Sequence, residues 1–198
     1  MSRAGSGQSG SFALSLAEFA AQATEAIDAS LREIIIEVGS SVIRMSPVGN
    51  PEIWAQNAVA SQYNNAVDDH NSDLRSDPAN LTKAGRLKPG RKLNDGMDIV
   101  APEGYVGGRF RANWQHGYNQ VQAGQIDARD AGGGDTIAGL QAGIDAADAF
   151  GVHYIVNNLP YARRLEYEGW SSQAPAGMVG ITTVRFQEFI NKAAQELP

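Results

Sequence analysis

Apolar residues recur every three or four positions at Leu16, Phe19, Ala23, Ala26 or Ile27, Leu31, Ile34, Val38 and Val42, which lines one face of a long helix. Ser15 and Glu18 have the S-x-x-E spacing of a capping box, so the helix is expected to start at Ser15, behind a flexible Gly/Ser-rich arm over residues 1–14. Ser46-Pro47 stops it, since proline has no amide hydrogen to donate. A helix of that length spans roughly 40 Å, more than a compact domain of this size requires. One end is therefore expected to stand beyond the rest of the fold.

Residues 47–107 are rich in Asn, Asp, Gly and Pro and show no sustained apolar period, the pattern of an extended insertion loop. In "GRFRANWQHGYNQ", Phe110, Ala112 and Trp114 alternate with Arg109, Arg111, Asn113 and Gln115, which predicts a half-buried strand over 109–118 launched by Gly107-Gly108. Asp135 is a good N-cap for a middle helix on Ile137, Leu140 and Ile144 that ends at Gly151, and "VHYIVNN" predicts a second strand over 152–157. Val179, Thr183, Phe186, Phe189 or Ile190, Ala193 and Leu197 keep a helical stripe to the C-terminus. For the residues just before Thr182, β-branching favours strand while the stripe favours helix. The sum is an α+β fold: a small, mainly antiparallel sheet packed with long N-terminal, middle and C-terminal helices, as one domain over 15–198 interrupted by the 47–107 insertion.

Composition narrows the chemistry. A chain of 198 residues can bury a core without staples. The absence of cysteine removes disulfides and thiol nucleophiles. A net charge of −6 opposes wholesale wrapping of nucleic acid, although "KAGRLKPGRK" concentrates Lys83, Arg86, Lys88, Arg91 and Lys92, either as solvated loop charge or as a contact for DNA or an acidic neighbour. No run of about 18 apolar residues predicts a membrane span.

Catalytic patterns are missing. His70, His116 and His153 lack the spacing of a metal site, and "DAGGGDT" lacks the lysine of a phosphate-binding loop. Glu166 and Glu168 flank Tyr167 beside Arg163 and Arg164, which suits ion pairs better than opposed catalytic carboxylates. No serine elbow accompanies them. Neither an enzyme nor a cofactor is expected. Tyr161, Arg163, Arg164, Glu166, Tyr167 and Trp170 instead gather the residue types of interface hot spots on one short corner, as a docking surface, as internal packing, or as both.

The order of these pieces resembles the neck or tail-completion protein family (head–tail joining, minor tail component) of long-tailed double-stranded-DNA bacteriophages. A long helix ends in "MSPVG"; "GYVGGRFRANWQ" and "YIVNNLPYARRLEYEGWSSQAPAGMV" follow, and the likeness covers residues 12–46 and 103–197. Gly108, Arg109, Phe110, Arg111, Asn113 and Trp114 match the first motif. Asn157, Asn158, Leu159, Pro160, Tyr161, Ala162, Leu165, Glu166, Tyr167, Gln173, Ala174, Pro175, Gly177 and Met178 match the second. Compact family members lack the 47–107 segment, so the likeness implies no role for it.

The resemblance implies a structural virion protein without an active site, assembled in the host bacterial cytoplasm. It implies a homo-oligomeric ring, sixfold or twelvefold, between a head connector, adaptor or stopper protein and a tail terminator or tail tube protein, with genomic DNA passing through the lumen and no membrane contact. A tail terminator ring is the alternative within that class. From another class, a DNA-binding module using Lys83–Lys92 is the rival.

Overall fold

The computed structural model describes residues 8–195, with side chains from residue 12 onward. The expected arm over residues 1–7 and Leu197 of the expected C-terminal stripe lie outside the described residues. The chain has an α+β fold and divides into two compact units, one comprising residues 1–48 and 108–198 and the other Gly49–Gly107.

In the first unit, helix α1 (Gln8–Met45) begins earlier than the capping box suggested, and residues 8–14 are helical rather than a loose arm. Phe12, Ala13 and Leu14 propagate the helix, and a single glycine costs only about 1 kcal/mol relative to alanine, too little to stop it. Ser15 and Glu18 thus lie inside the helix.

The expected first strand is helical in its first half. Gly108 takes φ 97°, and its carbonyl accepts from both Ala112 and Asp130 amides, which opens the single turn α2 (Arg109–Ala112). A Cβ at Gly108 would meet the Ala131 backbone nitrogen at 2.4 Å, so only glycine fits. Strand β1 then runs only from Trp114 to Tyr118 and pairs antiparallel with β2 (His153–Asn157), with Trp114 opposite Asn157 and Tyr118 opposite His153. Asn113, expected to face solvent, is fully buried: its side-chain amide donates to the Ile126 and Arg109 carbonyls and accepts from the Ile126 amide.

Helix α3 (Gly134–Asp145) stops short of the expected Gly151. Its N-terminus is held by Asp130, not Asp135: the Asp130 carboxylate accepts from the Gly133 and Thr136 amides at 2.6 and 2.9 Å and from the Thr136 hydroxyl at 2.8 Å. Burial pushes the Asp130 carboxyl pKa up, but those hydrogen bonds and the nearby Arg111 prevail, and it lies below the usual value. At the other end, Arg32 donates to the Ile144 and Asp145 carbonyls, a cation at the negative end of the helix.

After β2, a short helix α4 (Ala162–Tyr167) leads to α5 (Val179–Gln195), so of the four ambiguous residues before Thr182 the last three are helical and Met178 precedes the helix. Helix α1 packs against α3 and α5. The core gathers Val42 and Ile43 with Phe110, Trp114, Leu140, Ile144, Leu159, Leu165 and Met178. Gly39 lets α1 approach closely, since a Cβ there would meet Leu140 Cδ1 at 2.5 Å. Trp114 Nε1 donates to Ser46 Oγ at 2.7 Å, and that hydroxyl donates to the Val42 carbonyl, so the buried indole has its partner at the end of α1. Along the α1–α5 seam, Thr182 bonds Ser41, and Lys192 sits 2.9 Å from Glu33 and 3.0 Å from Glu37, which raise its pKa.

The second unit corrects the expectation of a structureless insertion. It holds a helix, α6 (Ala58–Ser76), preceded by 3-10 turns at Pro51–Ile53 and Ala55–Asn57 and followed by one at Pro78–Asn80. Asn57, Ala60, Asn64, Val67, Asn71 and Leu74 form a regular three-four seam, with asparagine at every second position. Each asparagine clips the backbone of one residue in the extended segment 93–100, accepting from its amide and donating to its carbonyl. Asn57 holds Val100, Asn64 holds Met97 and Asn71 holds Leu93, all at 2.8–3.0 Å.

The spacing explains the fit. Seven helical residues advance about 10.5 Å and nearly two full turns. Three to four extended residues cover about the same distance. Trp54 stacks edge-on against Tyr105, with ring centroids 5.0 Å apart.

Candidate functional site

The corner that follows β2 starts from Leu159 and Leu165, both buried in the core of the first unit, which anchor α4 and fix which of its faces looks outward. Tyr161 turns inward and packs on Phe110, with centroids 5.9 Å apart, and Trp170 lies over Tyr161 at 6.3 Å. Glu166 also turns inward. Its carboxylate accepts from the Met178, Val179 and Gly180 amides at 2.8, 3.0 and 2.9 Å and so caps α5. The ion pair expected between Glu166 and Arg163 or Arg164 is not among those formed by the described residues: its charge is spent on a helix N-terminus of its own chain.

The remaining four residues face solvent. Tyr167 is 75% and Trp170 57% exposed. The Arg163 guanidinium carbon lies 5.9 Å from the Tyr167 ring centroid, and that of Arg164 lies 5.3 Å from the Trp170 ring centroid. These cation–π contacts pre-organise two arginine–aromatic pairs. Gln173, just beyond, clips Val48 by donating to its carbonyl at 2.7 Å and accepting from its amide at 3.2 Å, which fastens the corner to the end of α1.

At the other end of α1, the first turns carry large apolar side chains in solvent: Phe12 is 71%, Leu14 68%, Leu16 56% and Phe19 68% exposed. Phe12, Leu16, Phe19 and Ala23 continue the seam that α5 covers between Ser41 and Glu33. The periodicity is legible in the sequence, and the length of the helix gives reason to expect an uncovered end; which end it is was not legible.

The basic loop belongs to the second unit. A bridge between Leu81 and Leu87 and turns at Gly85 and Gly90 present Lys83, Arg86, Lys88, Arg91 and Lys92, all exposed. Lys88 Nζ donates to the Ala79 carbonyl. Among the described residues none of these cations makes an ion pair.

The sheet register brings together two histidines that stand far apart in sequence. His116 Nε2 lies 2.9 Å from His153 Nδ1, and His153 Nε2 lies 3.1 Å from the Asp148 carbonyl. A carbonyl only accepts, so His153 carries its proton on Nε2 and receives the His116 N–H on Nδ1. Burial, and then the charge of His153, hold the His116 pKa below its ordinary value. His116 lines an open cleft of about 440 Å³ with Gln115, Asp130 and Thr136, but Asp130 and Thr136 are occupied in capping α3.

Among the described residues no cluster of three or more histidines and carboxylates stands ready to hold a metal, and no helix is long and apolar enough to cross a membrane. A scan against protein-family models and searches of curated proteins and of solved structures return no match.

Proposed function

We propose that this chain is a structural protomer of a homo-oligomeric ring, of the kind that joins a phage head to its tail and lets DNA pass. The observation that carries the proposal is the uncovered apolar stripe at the start of α1, where Phe12, Leu16 and Phe19 face solvent. Burying three such side chains is worth about 5–9 kcal/mol before the cost of association. A protomer that leaves them in water completes its stability through neighbours. The virion location and the head-side and tail-side partners rest on the resemblance of the two motifs.

The experiment is the mass of the purified full chain by light scattering across a dilution series, followed by images of the particles. Closed rings of uniform size support the proposal. A single-protomer mass at the highest soluble concentration overturns it.

A DNA-binding module is the other role with an observation of its own, the exposed cluster of Lys83, Arg86, Lys88, Arg91 and Lys92. It requires duplex affinity that falls steeply with salt and collapses when these charges are neutralised. Affinity unchanged by that neutralisation sinks it.

A further inference from the structure

We propose that the first turns of α1 in one copy dock on the Arg163, Arg164, Tyr167 and Trp170 corner of the next copy, so that the assembly contact runs head to tail. The inference rests on the ring proposal and names the two surfaces that meet.

Three observations point to this pairing. The corner lies at the far end of α1 from the exposed stripe, because Gln173 is clipped to Val48 in both directions. At about 1.5 Å per residue, Phe12–Phe19 stand roughly 39–50 Å along the axis from Met45. A straight helix cannot return its first turns to its own corner, so the contact is made in trans. Two different patches at opposite ends of one protomer generate a heterologous contact, which repeats into a ring or a filament.

The chemistry is complementary. Glu18 and Glu25 stand two turns apart, about 100–120° around the axis from Phe19 at the near edge of the stripe, and no Lys or Arg lies between Arg3 and Arg32, so the charge of this segment as a whole is negative. The corner offers two guanidiniums, each already poised over an aromatic ring. Glu166 does not offset them, since its carboxylate is engaged by three α5 amides, and the exposed Glu168 offsets only one. The stripe is also the continuation of a packed seam: α5 covers the same face of α1 from Ser41 to Glu33. The rest of that face offers phenyl and isobutyl groups to Tyr167 and Trp170, residue types that anchor interfaces.

Because the chain has no cysteine, cross-linking tests the contact directly. The full chain is prepared as Phe19→Cys, as Tyr167→Cys and as the double variant, with circular dichroism checking that each folds. Each is oxidised and separated without reductant. The expected result is a ladder of dimers, trimers and higher species from the double variant alone.

Dimers from Phe19→Cys alone would show that stripes pair with each other and would overturn the proposal. A double variant that assembles by light scattering but does not cross-link overturns this contact and leaves the ring intact. A wild-type chain that never assembles overturns the contact and the ring together. As a second measurement, Glu18→Arg with Glu25→Arg should raise the concentration needed for assembly at least tenfold, and adding Arg163→Glu with Arg164→Glu should restore it. Failure of the exchange to restore assembly while the fold is intact counts against the contact.

Discussion

Asn57 offers the sharpest test of the asparagine seam. It is almost fully buried and makes three hydrogen bonds, accepting from the Val100 amide and donating to the Val100 and Pro51 carbonyls. Asn57→Asp keeps the shape and the acceptor but replaces the donating NH₂ by an oxygen that faces two carbonyl oxygens. Two hydrogen bonds are lost and a buried charge is left without compensation, a combination worth about 3–5 kcal/mol at neutral pH.

The sign with pH follows from linkage. Burial and repulsion raise the carboxyl's folded pKa above its unfolded value of about 3.9, so the variant binds more protons folded than unfolded. Its deficit is smallest below about pH 3.9 and grows as pH rises through the folded value. Hydrogen exchange of the full chain at Val100 reads this locally. At pH 7 the variant should lose about two to four powers of ten in protection relative to wild type, or all of it if less was present. The gap should narrow when both proteins are compared at about pH 4.5. Protection within about threefold of wild type at pH 7, or a deficit that ignores pH, would refute the bidentate clip as the source of order in segment 93–100.

Three further outcomes are expected. Trp114→Ala removes a buried indole and its bond to Ser46 and should cost about 3–5 kcal/mol in denaturant unfolding, whereas an unchanged midpoint would contradict its burial. Glu166→Gln leaves one neutral acceptor oxygen, turns an NH₂ donor toward an α5 amide and removes the charge, and should cost about 1–2 kcal/mol, read from the same unfolding curves; Glu166→Ala, which leaves all three amides without their acceptor, should cost more. His116 has a lowered pKa, so the unfolded chain takes up its proton first: stability should be level above about pH 6.5 and decline as pH falls below it until the folded pKa is passed. His116→Gln should flatten that part of the profile, and an unaltered slope would place its origin elsewhere.

The α+β class and helices α1, α3 and α5 follow from apolar periodicity, and β2 from β-branched and aromatic residues, because a buried face must repeat with its element. Where side chains other than aliphatic ones line the buried face, the same logic fails. Helix α6 shows no apolar period because Asn57, Asn64 and Asn71 occupy half of its seam, although their heptad spacing is a usable signal. The 109–112 turn has the sequence pattern of a strand, since buried Phe110, Ala112 and Trp114 alternate, while Gly108 at positive φ imposes a helical turn. At the corner, the residue types were legible but their directions were not. Glu166 finds its partners twelve to fourteen residues later, a distance no local pattern encodes.

Helix α1 also acts as a ruler with a phase. Between its solvent-borne phenyl rings and Gly39, where it is pressed against Leu140, the backbone runs without a break. Adding one residue there would move the rings outward by about 1.5 Å and turn them by about 100°. Adding seven would lengthen the strut by about 10.5 Å while returning them to within about 20° of their first bearing. Reach can therefore change with the bearing nearly kept only when the added residues complete whole turns, as a heptad does, which makes the residue count between Phe19 and Gly39 a constraint in its own right, separate from the identity of any side chain along the way.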